Sequence, residues 1–77
     1  MKTLHNGAGE FTHVRTERDT VAYSWTLQEA QDHEHPYILT VTVAGHARSE
    51  GYTRDIGAAE AAKAAERVAR ELHSSRA

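Results

Sequence analysis

The chain has 77 residues, 39% of them hydrophobic and 26% charged, with no cysteine and a formal net charge of −2. A chain of this length builds one small core, and the lack of cysteine excludes a disulfide framework, a thiolate-bound zinc and a thiol nucleophile. No apolar run approaches the roughly 20 residues that span a bilayer, and no signal-peptide pattern follows Met1. We therefore expect a small cytoplasmic protein without a membrane partner, and a pI near 6.3 makes nucleic acid the weaker expectation.

The first nine residues carry two glycines and no apolar periodicity, so we expect a flexible lead-in over residues 1–9. A single ββββα domain is then expected over residues 10–73, followed by a frayed tail over residues 74–77. β-branched and aromatic residues favour a first strand over residues 10–17.

A turn is predicted at residues 18–19, and its length decides the register of the first hairpin. A two-residue turn places Val14 opposite Tyr23, whereas a three-residue turn places Phe11 opposite Leu27. The two alternatives bury opposite faces of the first strand, because a slip of one residue inverts every side chain.

The next two strands have the clearest pattern in the chain. Large apolar residues alternate with small or polar ones from Val21 to Leu27 and again from Tyr37 to Val43. Residues 29–36 between them are acidic and polar and end in a proline, which predicts a loop. We expect Trp25 to be buried beneath the helix. Its predicted neighbours are Tyr23, Leu39, Val41, Val68 and Leu72.

A fourth strand is predicted from His46 to Arg54, after a reversal at Gly45. With a three-residue turn over residues 44–46, the small side chains of this strand face the helix. The small face consists of Ala47, Ser49, Gly51 and Thr53, and the opposite face of Arg48, Glu50, Tyr52 and Arg54.

A C-terminal helix is predicted from Ile56 to His73, with Asp55 as its N-terminal cap. Its apolar stripe consists of Ala58, Ala61, Ala65, Val68 and Leu72. Because alanine carries little bulk, the helix axis can lie close to the sheet. The predicted fold is α+β: an antiparallel meander of three to four strands with one helix packed on one face.

Six histidines raise the question of a metal site. His33 and His35 would lie on one face of a strand, where His46 or Asp32 could supply a third ligand. The alternative is a polar surface loop before Pro36, and we favour it because no buried residues are evident to orient the imidazoles. We expect neither a metal nor a cofactor.

No catalytic motif stands out in the sequence. The serines lack a G-x-S-x-G context, and no pair of carboxylates lies in an apolar setting that would separate their pKa values. A domain of four strands and one helix has too few layers to enclose a pocket of about 300 Å³ or more. We expect a protein that is not an enzyme.

One helix cannot cover both faces of the sheet, so one face stays open. We expect that face to bind a partner, since Tyr and Arg often anchor interfaces and Thr adds polar contacts at low entropic cost. The alternative is an ordinary solvent-facing surface. An exposed edge strand would also allow a homodimer. The predicted partner-binding residues are Arg48, Tyr52, Arg54, Thr40 and Thr42, with Ser24 and Thr26 on the same face.

The segment from His35 to His73 resembles the C-terminal half of double-stranded RNA-binding domains, in which two strands precede an Ala-rich helix. The resemblance implies RNA binding through a pair of basic residues at the helix start. The matching positions here, after Asp55, hold Ile56 and Gly57, and the first helix of that family is absent.

A second resemblance is to small phage-encoded inhibitors of the anti-CRISPR type. It is carried by Gly45–Arg48 (GHAR) and Gly57–Ala64 (GAAEAAKA) in what we expect to be a complete small protein. This resemblance implies an inhibitor that occludes the surface of a larger effector. The strand residues Gly51–Thr53 are also similar to a G-x-T of HicB-like antitoxins, which would imply binding to a toxin.

Overall fold

The computed structural model describes residues 2–12, 20–30 and 34–74. Its elements follow in the order β1 (Lys2–Thr12), β2 (Thr20–Glu29), β3 (Tyr37–Val43), β4 (His46–Tyr52) and α1 (Gly57–Ser74). The strands form one antiparallel sheet in the order β1-β2-β3-β4, and α1 packs on one face of it. The predicted α+β meander with a C-terminal helix is therefore confirmed.

The two central strands follow the predicted alternation. Their buried side chains are Trp25, Leu27, Leu39, Val41 and Val43. Trp25 lies opposite Val41 in the ladder and is only 6% exposed. The predicted burial of Trp25 is confirmed, because all five predicted neighbours belong to the same core, with Tyr23 at its half-buried margin.

Residues 2–9 lie in β1, instead of forming the flexible lead-in that their glycines suggested. In the ladder with β2, Gly7 lies opposite Trp25 and Gly9 opposite Tyr23. A Cβ atom at Gly7 would lie 2.8 Å from the Trp25 indole, and one at Gly9 would lie 2.5 Å from the Tyr23 hydroxyl. The glycines are thus strand residues that let two aromatic rings lie against the backbone, as edge glycines do beneath cross-strand aromatics.

Both expected registers of the first hairpin are wrong. Phe11 pairs with Val21, not with Leu27, and Tyr23 pairs with Gly9. The error has a physical source: Thr12 pairs with Thr20, so seven residues separate the paired ends of the two strands instead of two or three, and the length of the connection sets every cross-strand partner. The predicted turn at residues 18–19 lies outside the described residues.

β4 presents the reverse of its predicted faces. Val43 pairs with His46, so the turn holds two residues, Ala44 and Gly45, instead of three. Both have positive φ, 50° and 83° respectively, as the type I′ turns of two-residue hairpins require. One residue fewer in the turn inverts the whole strand. Arg48, Glu50 and Tyr52 therefore lie on the helix side, and Ala47, Ser49 and Gly51 lie on the open side.

The helix starts and ends one residue later than predicted. The Asp55 carboxylate accepts a hydrogen bond of 2.9 Å from the Gly57 amide, which confirms the predicted cap. Ala58 is exposed rather than buried, and Ala69 takes its place in the stripe. The buried stripe consists of Ala61, Ala65, Val68, Ala69 and Leu72.

Ser74 is the last residue of α1, so the expected frayed tail does not begin there. Residues 75–77 lie outside the described residues. Within the part of the chain that the structure describes, no helix combines the length and the apolar character needed to cross a bilayer.

Candidate functional site

The sheet face opposite α1, here called the open face, is built from small, mostly uncharged side chains. The alternation of β2 and β3 places their large residues beneath the helix and mostly small ones on this face, with Gln28 and Ile38 as the larger exceptions. The pairing aligns the small residues in transverse rows. One row consists of Asn6, Thr26, Thr40 and Ser49, and the next consists of Ala8, Ser24, Thr42 and Ala47.

The rows carry hydroxyl, methyl and amide groups without a formal charge. Thr40 and Ser49 share a hydrogen bond of 3.0 Å between their hydroxyl oxygens. A shallow, open depression of about 310 Å³ lies beside Thr42 and Ser24 at the β3–β4 turn. Its lining residues are Ala22, Tyr23, Ser24, Thr42 and Ala44. Tyr23 is the titratable residue among them, and burial raises the pKa of its hydroxyl, so the shape and methyl groups of the depression suit contact with a surface better than acid–base chemistry.

Two predicted partner-binding residues, Arg48 and Tyr52, are on the helix side of β4, where they join an ion-pair network with α1. The Glu50 carboxylate accepts hydrogen bonds from the Arg67 guanidinium at 2.7 Å and from the Tyr52 hydroxyl at 3.0 Å. Arg48 lies 3.7 Å from Glu71. Their expected position on the open face is therefore wrong, for the turn-length reason given above.

The network shifts the pKa values of its members. The hydrogen bond from Arg67 holds the pKa of Glu50 below its usual value, and the bond from the Tyr52 hydroxyl acts in the same direction. Burial raises the pKa of Tyr52, and the hydrogen bond to the Glu50 carboxylate adds to that effect. These groups tie β4 to α1, and nothing in their geometry points to a reacting atom.

All four arginines among the described residues contact a carboxylate. Arg54, the third basic or aromatic residue that we predicted to bind a partner, follows β4 and contacts Glu60 at 3.3 Å. The helix pair predicted between Glu66 and Arg70 has a separation of 3.8 Å. The remaining contacts are those of Arg48 with Glu71 and of Arg67 with Glu50 and Glu71.

Of the four candidate metal ligands, the structure describes His35 and His46. His33 and Asp32 lie outside the described residues. The His35 side chain packs on Gly51 near the end of β4, whereas His46 is the first residue of that strand. Among residues 2–12, 20–30 and 34–74, no group of three or more His, Asp or Glu side chains could hold a metal ion.

Of the five predicted partner-binding residues, the structure keeps Thr40 and Thr42 on the open face. The expected position of their neighbours Ser24 and Thr26 on this face is also confirmed, because strand alternation assigns them directly. Sequence reasoning missed the contributions of the two edge strands. These are Asn6 and Ala8 from β1 and Ala47 and Ser49 from β4.

Comparisons with protein-family models, with curated protein sequences and with solved structures find no match for this chain.

Proposed function

We propose that the chain is a small non-enzymatic binding module whose open face covers a surface of a larger protein. The observation that carries this proposal is the absence of charge in the two central rows of the face, in a chain in which 26% of the residues are charged. The cores of protein–protein interfaces are depleted in charged residues, because a buried charge costs free energy unless it is paired.

The action that fits this surface is binding to a larger effector. The bound chain would cover a surface of the effector and so inhibit or titrate it. The resemblance of Gly45–Arg48 and Gly57–Ala64 to anti-CRISPR inhibitors motivates this part of the proposal, and a cytoplasmic location belongs with it. A rigid sheet presents its side chains without ordering a loop, so little conformational entropy is lost on binding.

The pairing of the arginines argues against nucleic acid as the partner. Phosphate recognition needs basic groups that are free to meet the backbone. The four arginines in the described part of the chain are instead within 4 Å of carboxylates. Ile56 and Gly57 occupy the positions at which a double-stranded RNA-binding domain would grip phosphate.

The test uses a photo-crosslinking amino acid at position 42 of the open face, with position 62 on the exposed side of α1 as the control. We expect the residue at position 42 to crosslink to a partner protein and the residue at position 62 to form no such crosslink. The identified partner is then titrated with a Thr40→Lys/Thr42→Lys variant and with an Ala59→Lys/Ala62→Lys variant, which adds the same charge to the helix.

The Thr40→Lys/Thr42→Lys variant should weaken binding about 100-fold, because its two lysines disrupt the centre of the interface. The helix variant should weaken it less than about threefold, in line with a residue outside the interface. Crosslinks from position 62 alone, or recovery of RNA instead of protein, would contradict the proposal.

A further inference from the structure

β1 is one of the two edges of the sheet, since the strand order gives it β2 as its neighbour in the sheet. Its 11 residues make it the longest strand described. The segment Asn6–Gly9 in its centre holds neither a charge nor a proline, and the only register shift lies further back, between Thr3 and His5. Charges, prolines and bulges are the usual devices that keep an edge strand from pairing. Residues 6–9 have none of them.

The other edge is protected. Arg48 and Glu50 of β4 carry opposite charges, and both are held by ion pairs with α1. A strand added beside β4 would have to pack against this charged flank. The two edges therefore differ in where their charges lie: Arg48 and Glu50 lie in the middle of β4, whereas Lys2 and Glu10 lie towards the ends of β1. The centre of β1 is the part open to strand addition.

The aromatic rings of β2 favour the same edge. The indole of Trp25 and the phenol of Tyr23 lie against the backbone of Gly7 and Gly9, on the helix side of β1. Because neither glycine has a side chain, the rings reach across the edge strand. Side chains of an added strand would meet these rings at their rims.

We propose that two copies of this chain pair through β1, antiparallel and centred on Ala8, to form a continuous eight-stranded sheet. The segment is complementary to itself in this register. Asn6 of one copy lies opposite Glu10 of the other, and Gly7 lies opposite Gly9, so no like charges face each other. A two-fold axis through Ala8 uses the same surface on both copies. The inference does not depend on the proposed function of the open face.

The expected dimer is weak. The pairing residues His5–Phe11 follow the register shift and extend for about 23 Å at 3.3 Å per residue. A single pair of strands buries less than the ~800 Å² per partner of a standard stable interface. We therefore expect a Kd of about 10 to 100 μM.

The test compares Ala8→Lys with Ala47→Lys by sedimentation equilibrium from micromolar to millimolar concentration. Ala8 and Ala47 are both exposed, lie on opposite edge strands and face the same side of the sheet, so they form a matched pair. The wild-type protein and Ala47→Lys should shift from 8.5 kDa towards twice that mass. Ala8→Lys should remain monomeric, because the two-fold axis places two lysines side by side. An equimolar mixture of Ala8→Lys and Ala8→Glu should restore the dimer.

A second measurement does not rely on charge. The chain has no cysteine, so an Ala8→Cys variant places a single thiol next to its copy across the axis, where directly opposed Cβ atoms about 4.5 Å apart allow a disulfide. Ala8→Cys should form a disulfide-linked dimer at least about tenfold faster than Ala47→Cys. A wild-type protein that stays at 8.5 kDa at millimolar concentration overturns the proposal. So does a dimer that Ala47→Lys abolishes and Ala8→Lys leaves intact, or equal rates for the two cysteine variants.

Discussion

At the scale of the single residue, Gly7 shows how one missing methyl group positions the core. A Cβ atom there would lie 2.8 Å from the Cε2, Cζ2 and Nε1 atoms of Trp25, closer than real Cβ contacts allow. We predict that Gly7→Ala lowers the free energy of unfolding by about 1 to 2 kcal/mol, because the indole must shift within a packed core. This loss exceeds the ~0.5 to 1 kcal/mol that alanine gains over glycine in a strand.

Urea unfolding followed by the fluorescence of Trp25, the chain's one tryptophan, measures this change. Asn6→Ala is the matched control, because it alters the adjacent exposed position of the same strand. If Gly7→Ala is as stable as the wild-type protein, the ring does not pack against the Gly7 backbone.

The same residues show why β1 could not be recognised from the sequence. A glycine in a local window indicates flexibility or a turn. Glycine is needed at positions 7 and 9 because the rings of Trp25 and Tyr23 lie against the backbone there. These rings are at least 14 residues further along the chain. No local pattern contains that contact, so the expectation of a flexible lead-in is wrong for residues 2–9.

Among the helices and strands, the periodicity of apolar residues predicted the features that depend on a single segment of the sequence. The alternation of β2 and β3 and the spacing of α1 each identified a buried side, and Asp55 identified the helix start. The face of β4 depended on a single turn residue. Ala44 adopts φ of 50° there, although a type I′ turn usually has asparagine, aspartate or glycine at that position. The sequence therefore lacked the signal that would have fixed the turn at two residues.

The hydrogen bonds between β4 and α1 predict how stability depends on pH. Arg67 lowers the pKa of Glu50 in the folded protein from the ordinary value of 4.5. Below pH ~4.5 the unfolded chain binds a proton at Glu50 more readily than the folded protein does. The contribution of the Glu50–Arg67 contact to the free energy of unfolding is therefore complete above pH ~4.5, and it is lost as the pH falls through the folded pKa. We expect Glu50→Gln to cost about 1 kcal/mol at pH 7 and less at pH 3, in the range of partly exposed ion pairs.

Chemical unfolding at pH 3, 4, 5 and 7 tests this expectation. Glu66→Gln is the control, since Glu66 contacts Arg70 at 3.8 Å within α1 and does not join the helix to β4. A Glu50→Gln variant whose loss of stability is the same at pH 3 and pH 7 would show that the contact with Arg67 does not contribute through charge.

At the scale of the whole molecule, charge is divided between the two sides of the domain. The β4–α1 side holds Arg48, Glu50, Arg67 and Glu71 in one network. The central rows of the open face hold none of the charged residues. A domain with this division can bury its open face without breaking an ion pair, and it can keep its network hydrated at the same time.

This division predicts how binding responds to salt. A partner held by the open face should change its Kd less than about threefold between 50 and 200 mM salt, because few charges are screened at the contact. A protein that makes 6 to 10 phosphate contacts would lose about 10³ to 10⁵ in affinity over the same range. The measurement is a titration of the crosslinked partner at both salt concentrations, with a duplex RNA of about 16 base pairs as the comparison ligand. Tight RNA binding at 50 mM salt with a steep loss at 200 mM would assign the function to nucleic acid, because such a slope requires basic groups that are free of the carboxylates they contact here.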